Sequence, residues 1–393
     1  MPWNETDPMR ERLRFIDDLE SMLYTMTELC ARYGISRKTG YKWAARYVED
    51  GYRGLEDRPR APKHCPHRMD GQVAEALVEM RRRHPRWGPR KLLSVLGSRR
   101  PDLPLPAAST VGDLLKREGL VQPRRRPKRR LQPQRPRFQA RAPNDLWTCD
   151  FKGQFRMGNR RYCYPLTVAD RYSRFLLACQ GRVSTALPGV RPVFEQRFRE
   201  YGLPRAILSD NGSPFSSQAL AGLSRLSVWW IKLGIQPLLI EPGHPEQNGA
   251  HERMHRTLKA ETTRPPEAGL AAQQRRFDAF RQEYNELRPH EALDQRPPSE
   301  LYEPSHRPYP KKIREVEYPG HYEVRRVKPR GQIKWQGNLI FVSEVLIGEF
   351  VGLEEVDDGI WSLHFGPLLL ARFDEQTRKL EGVVPSPDRS RDE

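Results

Sequence analysis

The chain has no run of about 18 apolar residues, the length that a membrane-crossing helix requires. Its start also lacks the charged segment and apolar stretch of a secretory signal. These absences predict a soluble cytoplasmic protein with no membrane partner. Cysteine is scarce: Cys30, Cys65, Cys149, Cys163 and Cys179 form an odd, scattered set with no Cys-x-x-Cys pair. Neither a disulfide frame nor a thiolate zinc site is indicated, and a reducing compartment fits. His64-Cys65-Pro66-His67 packs its donors side by side in a proline-flanked loop, without the separated pairs of a zinc finger, and is read as an ordinary loop. Acid is in deficit too, since 50 Asp and Glu face 68 Lys and Arg for a formal charge of +18. An anionic partner is expected, nucleic acid first, and nothing calls for a small-molecule cofactor.

With 393 residues the chain is too long for one ordinary core, and two to four units are expected. Eight Trp and the apolar runs between 145 and 240 argue for at least one well-packed core despite 30% charged residues. Residues 1–58 read as a helix-turn-helix unit. Thr27 and Ser36 are suitable N-caps, Gly34 suits the turn, and Leu29, Ile35 and Trp43 can form the shared core. The second helix would present Arg37, Lys38, Tyr41, Lys42 and Arg46 to phosphates and base edges. Residues 68–122 read as a second helical unit, with Asp70 capping one helix, Pro89 opening another and Ser109 capping Thr110 to Glu118 ahead of Gly119. This unit is either a second DNA-binding element or a spacer.

Residues 123–141 hold nine Arg or Lys, four Pro and no acid. They cannot bury a core and are expected to stay extended along DNA, with Arg124, Arg125, Arg126, Lys128, Arg129 and Arg130 as phosphate contacts. From 142 to 305 the pattern is α/β. Strands are expected at Leu146 to Phe155, Arg161 to Val168, Arg174 to Gln180, Arg205 to Ser209 and Ile235 to Ile240, the first three as antiparallel neighbours. Helices are expected at Val190 to Tyr201, Ser217 to Leu233 and Gln273 to Glu286. Residues 308–383 carry short strand-like runs punctuated by Gly331, Gly337, Gly348, Gly352, Gly359 and Gly366, which suggests a small β-barrel or sandwich, and 384–393 read as a disordered tail.

Asp150, Asp210 and Glu252 stand out from this background. Strand alternation puts Leu146, Thr148 and Asp150 on one face, and Asp210 ends an apolar strand at Asn211-Gly212. Glu252 falls in the first turns of a helix entered through Pro245 to Gly249, with Lys259 two turns further along the same side. Oxygen ligands without thiolate favour Mg²⁺ or Mn²⁺, and three acids can hold two such ions about 4 Å apart across a scissile phosphate. Lys259 would add positive charge near that phosphate, and no protein nucleophile is needed.

Trp147-Thr148-x-Asp150, Ser209-Asp210-Asn211-Gly212-Ser213-Pro214-Phe215 and Gly243-His244-Pro245-x-Gln247-Asn248-Gly249-x-x-Glu252, followed by Leu258-Lys259, resemble the core of bacterial insertion-sequence transposases and retroviral-type integrases. Tyr284-Asn285-x-x-Arg288-Pro289-His290 resembles the end of that core. The resemblance covers roughly 142–305 and implies a ribonuclease-H-like fold with a mixed five-stranded sheet, a DDE triad at Asp150, Asp210 and Glu252, and a basic partner at Lys259. It implies nicking at element ends and attack of the freed 3′ hydroxyl on target DNA, with double-stranded DNA and a homo-multimer on paired ends as partners. Asp210 and Glu252 stand 42 positions apart, somewhat more than is usual in that group, with the extra residues assigned to 217–234.

Two rival readings compete. His251-Glu252-Arg253-Met254-His255 matches the His-Glu-x-x-His of zinc metalloproteases, but no third ligand follows at a suitable spacing and Asp150 and Asp210 are left unused. The other is a DNA-binding regulator built on an inactive core, against which the three intact acids weigh.

Overall fold

The computed structural model describes residues 7–58, 69–121, 139–151, 153–241, 244–377 and 380–382. Arg124, Arg125, Arg126, Lys128, Arg129 and Arg130, the loop at His64 to His67 and the tail 384–393 lie outside the described residues. The chain divides into two compact units, Met1–Met69 and Asp70–Glu393. Among the described residues no helix is long and apolar enough to cross a membrane.

The first unit is a three-helix bundle of α1 (Pro8–Glu20), α2 (Met26–Arg32) and α3 (Arg37–Asp50). The expected cap at Thr27 is displaced by two residues. Thr25 caps α2 in a reciprocal box with Glu28, whose carboxylate reaches back to the Thr25 N–H at 2.9 Å. Glu28, three places after Thr25, closes both bonds, whereas Thr27 has Cys30 at that position. Ser36 caps α3 as expected. Leu29 and Trp43 are buried with Phe15, Ile16, Cys30 and Leu55, so α1, which the sequence reading overlooked, supplies part of this core.

The second unit opens with α4 (Gly71–Arg83), α5 (Pro89–Arg99) and α6 (Ala108–Arg117). Asp70 caps α4 by accepting from the Gln72 N–H at 2.7 Å, and Pro89 begins α5. Ser109 does not cap α6. The helix starts two residues earlier, behind Ala107, without a side-chain cap. Val73, Leu77, Leu92, Leu96, Val111 and Leu115 turn inward at helical spacing and are buried. The bundle rests on the centre of the unit through Ser94, which donates to the Gln295 carbonyl at 3.1 Å, and His84, 3.1 Å from Glu283.

At the centre lie β1 (Leu146–Phe151), β2 (Phe155–Arg156), β3 (Tyr162–Asp170), β4 (Leu176–Arg182), α7 (Leu187–Tyr201), β5 (Ala206–Ser209), α8 (Arg225–Lys232), β6 (Gln236–Leu239), α9 (Gly249–Thr262) and α10 (Leu270–Glu286). The sheet has six strands where five were expected, because the first predicted strand is interrupted: β2 pairs with β3 along the line that β1 begins. Across the sheet the rows run β4, β3, β1, β5, β6; β3 is antiparallel to both neighbours, while β5 is parallel to β1 and β6 is parallel to β5. The expected helix from Ser217 to Leu233 shrinks to Arg225–Lys232. Ala221 and Gly222 take positive φ of 54° and 69°, which an α-helix cannot continue through, and Ser224 caps the shortened helix.

Side-chain alternation divides the interior. Trp147 and Cys149 of β1 face α7 and α8 among Phe194, Phe198, Trp229 and Trp230. Cys163, Leu176 and Cys179 face α9 and α10 among Met254, Leu258, Phe277 and Phe280. Each fully buried side chain of this size contributes on the order of 1.5–3 kcal/mol, so the two layers clamp the sheet.

The C-terminal strands are β7 (Glu323–Arg326), β8 (Gln332–Trp335), β9 (Asn338–Phe341), β10 (Phe350–Asp357), β11 (Ile360–Phe365), β12 (Leu368–Asp374) and β13 (Leu380–Gly382). They do not close into the expected barrel. Five run as an open antiparallel sheet ordered β13-β12-β11-β10-β7, and β8-β9 is a separate hairpin. Closure is unnecessary because the sheet's apolar face is covered from outside: Leu223, Val228 and Ile231, at and within α8, join one core with Val327, Ile333, Leu353, Leu363 and Phe373. Lys232 adds an ion pair to Glu349 at 2.8 Å.

Gly202 ends α7 at φ 76°, and a Cβ there would stand 2.6 Å from the Ser305 carbonyl oxygen. The Leu203 N–H donates to the Arg307 carbonyl at 2.7 Å, so that backbone cannot withdraw freely. Gly202→Ala is therefore expected to cost about 1–3 kcal/mol, read as a lower midpoint in urea for the unit that contains α7. An unchanged midpoint would contradict the close approach.

Candidate active site

β1 and β5 lie side by side and parallel, with Leu146 opposite Ala206, Trp147 opposite Ile207 and Thr148 opposite Leu208. Carrying that register two residues further brings Asp150 level with Asp210. Both acids are half-buried at the C-terminal ends of their strands, where open α/β sheets present ligand-binding groups. Cys149 reports both charges. Burial first, then the carboxylates of Asp150 and Asp210, pushes its thiol well above the ordinary range.

Asp210 is held in place by its loop. Its Oδ1 accepts from the Gly212 N–H at 3.2 Å, and Asn211 donates to the Ile240 carbonyl at 2.8 Å, tying the end of β5 to the end of β6. Burial raises the Asp210 carboxyl above its ordinary 3.8, outweighing the opposing Gly212 bond.

Glu252 stands in the first turn of α9, exposed, and Lys259 is exposed two turns later. Ahead of the helix, residues Pro245–Asn248 make a 3₁₀ turn, fastened by Arg171 donating to the Gln247 carbonyl at 2.9 Å and by Gln247 bridging to Glu241 at 3.1 Å. The turns flanking Glu252 are pinned from beneath. His251 Nδ1 lies 2.8 Å from the Thr148 hydroxyl, and its Nε2 lies 2.7 Å from the Thr167 hydroxyl. His255 Nε2 lies 2.6 Å from the same Thr167 hydroxyl, which also donates to the Asp150 carbonyl at 3.0 Å. His255 Nδ1 faces Asp150 Oδ2 at 3.6 Å.

Sequence reading missed this set. Thr148 shares a strand face with Asp150, and the two histidines sit one turn apart, but their only visible pattern was the metalloprotease-like spelling. The geometry assigns them differently: both ring nitrogens of His251 are engaged by threonine hydroxyls, and burial holds the ring neutral, its pKa pushed down to about 3. No lone pair of His251 remains for zinc.

Among the described residues no three His, Cys, Asp or Glu side chains stand close enough together to hold a metal ion. The structure thus brings Asp150 and Asp210 level and fixes the backbone beneath Glu252. In the first unit, Arg37, Lys38, Tyr41 and Lys42 are exposed along α3 and Arg46 is half-buried. Lys42 and Arg46 lie over the Trp43 ring at 4.6 and 5.1 Å, which restrains both cations.

A mixed sheet in this order, helices on both faces and acids at the ends of adjacent parallel strands define a ribonuclease-H-like core. Models of the integrase core domain match residues 140–245 and 233–298, spans that contain Asp150, Asp210, Glu252 and Lys259. A helix-turn-helix model matches 11–63 and a homeodomain-like model matches 39–115. The insertion element IS476 protein of Xanthomonas euvesicatoria is 32% identical over 233 residues, 58% of this chain and 64% of that protein. The insertion element IS407 protein of Burkholderia multivorans is 32% identical over 163 residues, 41% of this chain and 56% of that protein. The Pol polyprotein of feline endogenous virus ECE1 is 33% identical over 132 residues, 34% of this chain and 12% of the polyprotein. Residues 140–298 are thus similar to integrase core domains, with helix-turn-helix matches ahead of them, and the chain spans less than two thirds of the length of each of these relatives.

Because the folded state raises the Asp210 pKa, this carboxyl contributes its full stabilisation below 3.8 and loses it as pH rises through the folded value. Its ionised form is thus a stability cost at neutral pH. Asp210→Asn is expected to raise the apparent Tm at pH 7 in EDTA by about 1–3 °C, with the gain shrinking as pH falls toward the ordinary carboxylate range. A lower Tm at pH 7 would refute the sign.

Proposed function

We propose that the chain is a DDE transposase that binds the ends of its element, nicks them and transfers the freed 3′ ends to target DNA. The observation that carries this reading is the pairing of β1 with β5, which sets Asp150 level with Asp210 beside the helix that bears Glu252. The donor set fits a hard divalent cation: carboxylate oxygens only, with the neighbouring Cys149 thiol buried on the opposite face and kept protonated. Asp150, Asp210 and Glu252 would hold Mg²⁺ or Mn²⁺, two ions per site, which when bound stabilise charge on the scissile phosphate and activate the attacking oxygen.

The chain's own groups do the rest. Lys259, exposed on α9 beyond Glu252, supplies a mobile positive charge for the phosphate backbone of the strand being cut. The buried, protonated Cys149 and the buried His251, both of whose ring nitrogens are engaged by threonines, offer no nucleophile, so water serves for nicking and the DNA 3′ hydroxyl for joining. Residues 1–58 and 68–122 hold the element end, the basic segment 123–141 tracks its backbone, and paired ends call for a homo-multimer in the cytoplasm, on the nucleoid.

Two measurements test this. In strand transfer of a labelled end oligonucleotide into plasmid with Mg²⁺, Asp150→Asn, Asp210→Ala and Glu252→Gln are each expected to lose at least about 10²-fold in rate while retaining end binding. Undiminished joining by Glu252→Gln would refute the mechanism, and end binding without any joining by the unaltered chain would leave a DNA-binding regulator. In filter binding, Arg37→Ala and Lys38→Ala are each expected to weaken binding across sequences and to reduce the salt slope by about 1, as lost phosphate contacts do. An unchanged slope would remove them from the interface.

A further inference from the structure

The hydroxyl of Thr167 is fully buried and stands among three polar partners: the Asp150 carbonyl at 3.0 Å, His251 Nε2 at 2.7 Å and His255 Nε2 at 2.6 Å. A hydroxyl has one proton and two lone pairs. Those three sites are filled when Thr167 donates to the Asp150 carbonyl and accepts from the two imidazole N–H groups. His251 then offers Nδ1 as acceptor to the Thr148 hydroxyl at 2.8 Å. The two rings meet edge to face, 4.6 Å between centroids, in the turns that flank Glu252. Removing any member leaves a buried donor or acceptor without its partner, which costs about 1–3 kcal/mol and makes the arrangement close to all-or-none.

We propose that Thr167, His251 and His255 are positioning residues: together they lock the first two turns of α9 to β1 and β3, and so set where Glu252 stands relative to Asp150 and Asp210. The proposal rests on the three-acid reading of the site. The lock joins the carriers of two acids directly, since Thr167 holds the backbone of Asp150 while the histidines hold the backbone around Glu252. Supports beneath carboxylate ligands typically govern metal affinity and rate by about 10–100-fold.

The test uses two pairs of variants in the full chain. Thr167→Val keeps the shape and removes the hydroxyl, whereas Thr167→Ser keeps the hydroxyl. His255→Leu removes the ring nitrogens, whereas His255→Gln retains a donor where Nε2 stood. Strand transfer is measured against Mn²⁺ concentration, affinity for end DNA separately, and amide hydrogen exchange of 249–256 in EDTA. The Val and Leu variants are expected to need about 10-fold more Mn²⁺ for half-maximal transfer and to exchange about 10-fold faster over 249–256, with end-DNA affinity unchanged. The Ser and Gln variants are expected to stay within about threefold of wild type, a rescue that general destabilisation would not give. Should Thr167→Val fail to fold, the His255 pair decides alone. Wild-type Mn²⁺ dependence in the Val and Leu variants, with Glu252→Gln inactive, overturns the lock and leaves the triad standing. Normal transfer by Glu252→Gln overturns both.

Discussion

The parallel ladder between β1 and β5 constrains everything around it. Parallel neighbours need a long crossover, and here the chain travels out through β2, β3, β4 and α7 before returning at Ala206 beside Leu146. Once the register is set, the residues after the last paired positions are no longer free to choose their neighbours. Asp150 and Asp210 come level because both strands end there. The apolar faces of the same strands, against α7 and α8, resist slippage, since a shift of one residue would turn Trp147 outward and Asp150 into the Phe194 and Phe198 layer.

Such a site carries a standing cost. Asp210 is buried enough to raise its carboxyl, and Cys149 beneath it is pressed upward by burial and by both acids. The fold offsets this with cores on both faces of the sheet and with the polar seam at Thr148, Thr167, His251 and His255. That seam is nearly dry, with Thr148, Thr167, His251 and His255 each at most 5% exposed, so its hydrogen bonds are strong and its members are hard to replace singly. The histidines that spell a metalloprotease motif in one dimension are the fasteners of α9 in three.

The C-terminal sheet obeys a related economy of surface. An open five-stranded sheet leaves one apolar face to be covered, and α8 covers it with Val228 and Ile231 while turning Trp229 and Trp230 to the central sheet. A helix apolar on nearly all sides is what such a double role requires, and α8 is buried along Leu226 to Ile231. This helix therefore joins the core and the C-terminal strands, with a separate apolar cluster on each of its two sides.

Local chemistry was legible without coordinates. Periodicity and caps announced α3 behind Ser36, α4 behind Asp70, the strands around Trp147 and Ile207, and the helix bearing Glu252, because each rests on neighbours within a turn or two. The 68 basic against 50 acidic residues likewise raised the expectation of an anionic partner from composition alone. Other features required distant partners. The late start of the helix expected at 217–233 follows from positive φ at Ala221 and Gly222, and the open C-terminal sheet follows from α8 covering it; neither leaves a periodic trace. The engagement of His251 and His255 by two threonines some 80 to 100 residues away lay furthest from view, because a histidine's partners are set by the tertiary structure and not by the residues beside it. Sequence determined which side chains were available for chemistry; packing decided which of them stand at the site and which hold it in place.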